Sequence, residues 1–173
     1  MNILKSLARR LVWLAFLPYV ALGLSSATEE GVDPKVLERG YRVFQENCSI
    51  CHMEKASLWE FLKARLNVLS GRRPENIDAP PMNLVSARIK EFYPHELDFV
   101  EFVKDYITSP SKQKGVCQPA AYAFFGTMPP IGQGMAEEDK EAVALWMYYR
   151  YSDIWHDVFK RVKELQKSVK SEK

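Results

Sequence analysis

Hydrophobic positions along this chain recur at intervals of three and four residues, and no stretch sustains alternation by two, so the pattern predicts an all-α fold. Asp33 and Pro34 supply an N-cap and a first helical position for a segment predicted to run to about Asn47, with Val36, Leu37, Tyr41 and Phe44 on its apolar side. Leu58, Phe61, Leu62, Leu66 and Leu69 fall at helical spacing and stop at Gly71, a suitable C-terminal cap. Between Gly71 and Asn83, Pro74, Pro80 and Pro81 break helices and predict an ordered loop. A further helix is predicted from near Pro94 to Pro110 on the stripe Phe99, Phe102, Val103, Tyr106 and Ile107. The next opens in the acidic cluster Glu137, Glu138 and Asp139, which suits the positive end of a helix dipole, and proceeds through Val143 and Trp146.

Beyond that helix, Trp155, Val158, Val162, Leu165 and Val169 trace an amphipathic extension over 152–173. It spans barely two heptads, too short to favour a coiled coil, and is predicted to pack back on the domain with its lysines as a solvated face.

At the other end, Lys5, Arg9 and Arg10 precede an uncharged apolar run from Leu11 to Leu24, followed by Ser25, Ser26 and Ala27. That order is the pattern of a secretory signal peptide. The run holds 14 residues, fewer than the roughly 20 needed to cross a bilayer as a helix, and Pro18 interrupts it. A cleaved leader over 1–27 and a periplasmic location are therefore expected; a retained leader would instead tether the chain to a membrane. Of the 24 Lys and Arg, three lie within 1–27, leaving 21 against 22 Asp and Glu. The surplus of positive charge thus belongs to the leader, which removes any electrostatic argument for nucleic-acid binding. No later apolar run is long enough to cross a membrane, and 28–151 suits a single domain.

Cys48-Ser49-Ile50-Cys51-His52 adds chemistry to this helical frame. In Cys-x-x-Cys-His, two thiols can each add to a vinyl group of one haem while the adjacent imidazole is brought under the iron. Half a zinc site, a thioredoxin-like redox pair and a disulfide are the alternatives. Zinc would want a second ligand pair, and neither another Cys-x-x-Cys nor a His-x3-5-His occurs. Export agrees with c-type chemistry, because oxidising compartments are where free thiol pairs are otherwise at risk. One haem c is expected, anchored by Cys48 and Cys51 with His52 as the proximal ligand.

Over most of 33–150 the chain resembles the class I cytochrome c family. The resemblance rests on a helix leading into Cys48-x-x-Cys51-His52 and on Gly126-Thr127-Met128-Pro129-Pro130 ahead of a last helix. Gly40 and Phe44 are similar to the family's small and aromatic residues at a helix crossing, and Val143 and Trp146 to their partners. The resemblance implies a helical domain wrapped around the haem and Met128 as the distal ligand. Met82, in Ala79-Pro80-Pro81-Met82-Asn83, is the second choice. Met53 lies too near His52 to reach the opposite face, and Met147 falls among core residues of the last helix. It also implies that the backbone carbonyl of Pro80 or Pro81 accepts the free N–H of the proximal imidazole, fixing its tautomer. With both axial positions filled by protein, the expected role is a one-electron carrier and not an enzyme. Its expected partners are redox proteins, a donor dehydrogenase or complex and an acceptor oxidase or reductase, met through a small transient contact.

Three features depart from a minimal member of that family. The segment from Leu58 to Leu69, with Trp59 and Phe61, is expected to cover one haem edge. The 152–173 helix lies beyond the family's last helix. Cys117 is left over once Cys48 and Cys51 are used. A buried apolar cysteine is its plainest reading, with an alternative iron ligand, an intermolecular disulfide and a sulfur-carrying nucleophile as the functional ones. The last keeps open a haem subunit of an oxidoreductase, in sulfur-compound oxidation. His95 and His156 read as exposed polar residues on helices.

Overall fold

Seven helices in sequence carry the chain around one cleft in the computed structural model, which describes residues 31–73 and 77–171. The expected leader, 1–27, lies outside the described residues, and so does Pro74. Among the described residues every regular element is helical, and no helix is long and apolar enough to cross a membrane.

Helix α1 spans Pro34–Val43. The Asp33 carboxylate accepts from the Lys35 N–H at 2.9 Å, and Pro34 takes the first helical position, where a missing donor costs nothing. The helix then widens into a single π turn, Phe44–Cys48, so helical backbone reaches just past Asn47 as the pattern predicts.

Helix α6, Glu137–Arg150, crosses α1 with Gly40 at the contact. A Cβ built on Gly40 would collide with the Ala142 carbonyl and stand 2.6 Å from the Trp146 Cβ, so the two backbones approach only because no side chain intervenes. Phe44 stacks on Trp146 at 4.7 Å and Tyr41 lies 5.7 Å from the same ring, closing the crossing with aromatic surface. Gly40→Ala should therefore push the helices apart and cost about 3 kcal/mol, as overpacked cores do. Thermal or denaturant unfolding checks it.

Helix α2, Leu58–Leu69, opens with a capping box in which Ser57 and Glu60 bond each other's backbone N–H, and it ends before Gly71 at φ 69°. Its apolar stripe is only partly used. Leu62 is buried, while Leu66 and Leu69 are 40% and 65% exposed. Phe61 meets Trp155 at 5.4 Å, directing this helix toward the C-terminal helix. The expectation that Leu58–Leu69 covers an edge of the cleft is thus corrected: neither Trp59 nor Phe61 lines it, since Phe61 packs with Trp155 against Leu84, Ala87 and Val158 and Trp59 is exposed.

Helix α3, Met82–Phe92, begins inside the segment predicted as loop. Pro81 occupies its N-cap and its carbonyl accepts from Leu84 and Val85 at 3.0 Å, so the proline that breaks one helix starts the next. Ser86 is fully buried and satisfied by the Met147 carbonyl at 3.0 Å. The Lys90 ammonium bonds the carbonyls of Tyr148 and Tyr151, a cation from α3 closing the C-terminal end of α6.

Helix α4, Glu96–Thr108, packs on α6 through Phe99, Val100 and Val103. The short helix α5, Pro119–Phe125, and a 3₁₀ turn, Ile131–Gly134, follow before α6. Helix α7, Trp155–Ser171, packs back on α2 and α3 as its stripe predicts, with Val158 and Val162 buried. Truncation after Tyr151 should expose that seam and lower the melting temperature by several degrees while leaving the cleft residues in place. Calorimetry on the full and shortened chains is the measurement.

Candidate functional site

One cleft of about 220 Å³ is bordered by Cys48, Cys51, His52, Pro80, Met82, Cys117 and Met128. Its walls are otherwise mostly apolar, with Val85 and Ile89 from α3, Phe102 and Val103 from α4, and Val143 from α6. The chain thus brings together the motif near its start, the first proline-rich loop and the methionine loop, which are separated by up to 80 positions in sequence.

The π turn decides how the two motif thiols are presented. Cys48, its last residue, is turned inward and buried, while Cys51 is exposed at the mouth. The N–H groups of Cys51 and His52 both return to the Cys48 carbonyl, at 3.1 and 2.9 Å, so the five residues form one tight loop. Burial pushes the Cys48 thiol up to about 11. A thioredoxin-like nucleophile needs the opposite shift, so a reactive dithiol is a poor reading of this pair.

His52 is held from both sides. Its Nδ1 lies 2.7 Å from the Pro80 carbonyl. Since a carbonyl only accepts, Nδ1 carries the proton and Nε2 keeps its lone pair. Burial lowers the imidazole below its ordinary value, against the opposing effect of the Pro80 carbonyl, so the ring is neutral at neutral pH. Pro81 is excluded from this role because its carbonyl is spent on the first turn of α3. The backbone after His52 is pinned in turn: the Met53 carbonyl accepts from Met82 N–H at 2.8 Å, Asn83 makes two 3.0 Å side-chain bonds to Ala56, and the Tyr151 hydroxyl donates to the Glu54 carbonyl at 2.9 Å.

The sulfur candidates separate by position. Met82 is buried at the start of α3, tied through Met53 and Pro80 to the side of the cleft that carries His52. Met128 reaches the cleft from the stretch Gly126–Pro130, outside any helix and preceded by Gly126 at φ 74°, which a side chain would strain. Met147 packs in the core on α6 and also borders the cleft, and Met53 is exposed. His95 and His156 are exposed helix-end residues away from the cleft.

Cys117 is not the simple buried thiol expected as its plainest reading. It is half-buried on the cleft wall among polar neighbours. Burial raises its thiol above the ordinary value, and the Tyr122 hydroxyl and the Arg88 guanidinium act the other way. Arg88 is fixed by a 2.7 Å bond from Nε to the Val116 carbonyl. Tyr106 and Tyr122 complete the group, both raised by burial and hence neutral. Sequence reasoning missed these tyrosines as site residues, since Tyr106 sits in an apolar stripe and Tyr122 in a seven-residue helix. The usable signal was Gly115, whose missing side chain leaves the room that the Tyr122 hydroxyl fills.

A protein of Aquifex aeolicus (strain VF5), described as uncharacterized, is 50% identical over 131 residues, spanning 76% of this chain and 86% of its own length. The chain belongs to one family with this Aquifex protein. No protein-family model matches the chain, and no solved structure matches it. The relative's description assigns no activity.

Proposed function

We propose that this chain is a monohaem c-type cytochrome, a one-electron carrier between redox proteins outside the cytoplasm. The observation that carries the reading is the convergence on one mostly apolar cleft of two thiols, a neutral imidazole with Nε2 free, and a thioether from a separate loop. The donor set fits the group. Cys48 inside and Cys51 at the mouth suit two thioether links to one porphyrin edge, His52 the proximal position and Met128 the distal one. When bound, the haem supplies a reversible one-electron couple at its iron.

The chain's own residues do the rest. Pro80 fixes the His52 tautomer and raises the basicity of its Nε2. The apolar walls exclude water and favour the less charged, reduced form, and a thioether ligand acts in the same direction. Met82, on the His52 side, is the poorer distal candidate. Its place there supports Met128. Export by the 1–27 leader and periplasmic encounters with a donor dehydrogenase and an acceptor oxidase or reductase belong to the same reading.

Expression with haem-attachment machinery, followed by intact-mass measurement and a pyridine haemochrome spectrum after denaturation, tests the proposal. One haem per chain surviving denaturation is the expected result. A chain of unmodified mass under those conditions would overturn it. A haem subunit of an oxidoreductase is the second reading, favoured by one observation, the position of Cys117 on the cleft wall. Turnover of a reduced sulfur compound that Cys117→Ser abolishes would support it.

A further inference from the structure

We propose that the face shared by α2 and α7 docks on a bilayer surface rich in anionic phospholipid. None of its residues borders the cleft, so this docking is separate from the haem reading and leaves the cleft mouth free.

Charge is spread very unevenly over the chain. Of the 21 Lys and Arg in 28–173, nine lie in 58–73 and 155–171, against three acidic residues there, Glu60, Asp157 and Glu164. The other 12 are set against 19 Asp and Glu. A chain that is close to neutral as a whole thus gathers its positive charge on two helices that pack on each other.

Contacts join those helices into one basic surface. Arg65 of α2 bonds Gln166 of α7 through Nη1 at 3.1 Å and lies over the Phe159 ring at 4.8 Å, while Lys163 lies over the same ring at 4.5 Å. Lys160, Lys163, Lys167 and Lys170 are exposed, and among the described residues none of the four forms an ion pair. Like charges three and four positions apart on a helix repel each other, and an anionic surface relieves that repulsion.

Apolar side chains accompany the charge. Trp59, Leu66 and Leu69 are exposed, and spacings of seven and three place them on one side of α2. Lys63 is exposed beside them and lies over the Trp59 ring at 5.6 Å. Single exposed apolar residues are ordinary, but three on one side of a 12-residue helix among cations match the chemistry of a membrane boundary. There tryptophan sits at headgroup depth, leucines reach the acyl chains and lysine stems hold their ammonium groups among the phosphates. A nucleic acid would engage the cations without the leucines. An acidic protein would have to supply a fitted pocket for each apolar side chain, whereas a bilayer takes them in as they stand.

Cosedimentation of the mature protein with vesicles of phosphatidylglycerol and phosphatidylcholine tests the docking, with pure phosphatidylcholine as the reference. Binding to the mixed vesicles, absent from the neutral ones and weakened by added salt, is the expected result. Lys163→Gln with Lys167→Gln should weaken it on the order of 30-fold, about fivefold for each cation near an anionic surface. Trp59→Ser with Leu69→Ser should weaken it on the order of tenfold, because the apolar contact with the acyl boundary is lost. All four side chains are exposed, so these variants keep the fold. Failure to bind the mixed vesicles, equal binding to both kinds, or binding that ignores the lysine pair would overturn the proposal. A lysine effect without a Trp59 and Leu69 effect would overturn it too, and would assign the face to an acidic protein or another polyanion.

Discussion

Cys48→Ala combined with Cys51→Ala should abolish covalent attachment entirely, leaving at most haem that is extracted by acid and organic solvent. The effect is all or none because a thioether bond survives unfolding and coordination does not. The single variants should separate by burial. Cys48 closes the π turn and packs in the core beside Phe44 and Val43, so its loss also removes core contacts. A small core truncation of this kind costs about 1 kcal/mol. Cys51 is exposed and its side chain is not part of the core cluster, so Cys51→Ala should lower attachment without lowering the stability of the rest of the fold. Haem staining after denaturing electrophoresis reads attachment, and chemical unfolding of the same samples reads stability. Covalent haem retained by the double variant would sink the reading.

The helical frame was legible because its signals are local. Asp33-Pro34, Gly71 and the acidic start at Glu137 mark ends, and the 3–4 spacing marks faces. Two helices were not read. Met82–Phe92 hides behind Pro80-Pro81, where a breaker and an N-cap look alike in sequence. Pro119–Phe125 is too short for periodicity to register. The misplacement of Leu58–Leu69 has a different origin. An apolar stripe states that a helix is covered and not by what, and here the cover is α7, through Phe61, Trp155 and Val158.

The site divides in the same way. Cys48, Cys51 and His52 declare themselves by spacing, whereas the choice of Pro80 over Pro81 depends on which carbonyl the next helix consumes. Tyr106, Tyr122 and Arg88 meet Cys117 from three elements, a juxtaposition that only tertiary structure creates. Gly40 is the instructive intermediate case. Its pairing with Trp146 was read from a resemblance, and the close helix approach supplies the physical cause.

Met128→Ala should lower the reduction potential by on the order of a hundred millivolts, within the roughly 0.8 V range that axial ligands control. A thioether favours the reduced iron, so removing it withdraws that preference whichever group takes its place. The reduced variant should bind carbon monoxide, which the wild-type protein should resist. The oxidised variant should lack the weak long-wavelength absorption band of sulfur-to-iron charge transfer from a thioether. Met82→Ala is the matched control. Its side chain borders the same cleft but starts a helix fastened to the His52 side, so the expected loss is packing, about 3 kcal/mol of stability for a buried methionine, with potential and spectrum nearly unchanged. Redox titration followed optically separates the two sulfurs, because ligation moves the midpoint and packing moves the unfolding curve. Should Met82→Ala remove the band and Met128→Ala preserve it, the distal assignment reverses, and the proposal of covalent haem at Cys48, Cys51 and the Pro80-oriented His52 would be untouched.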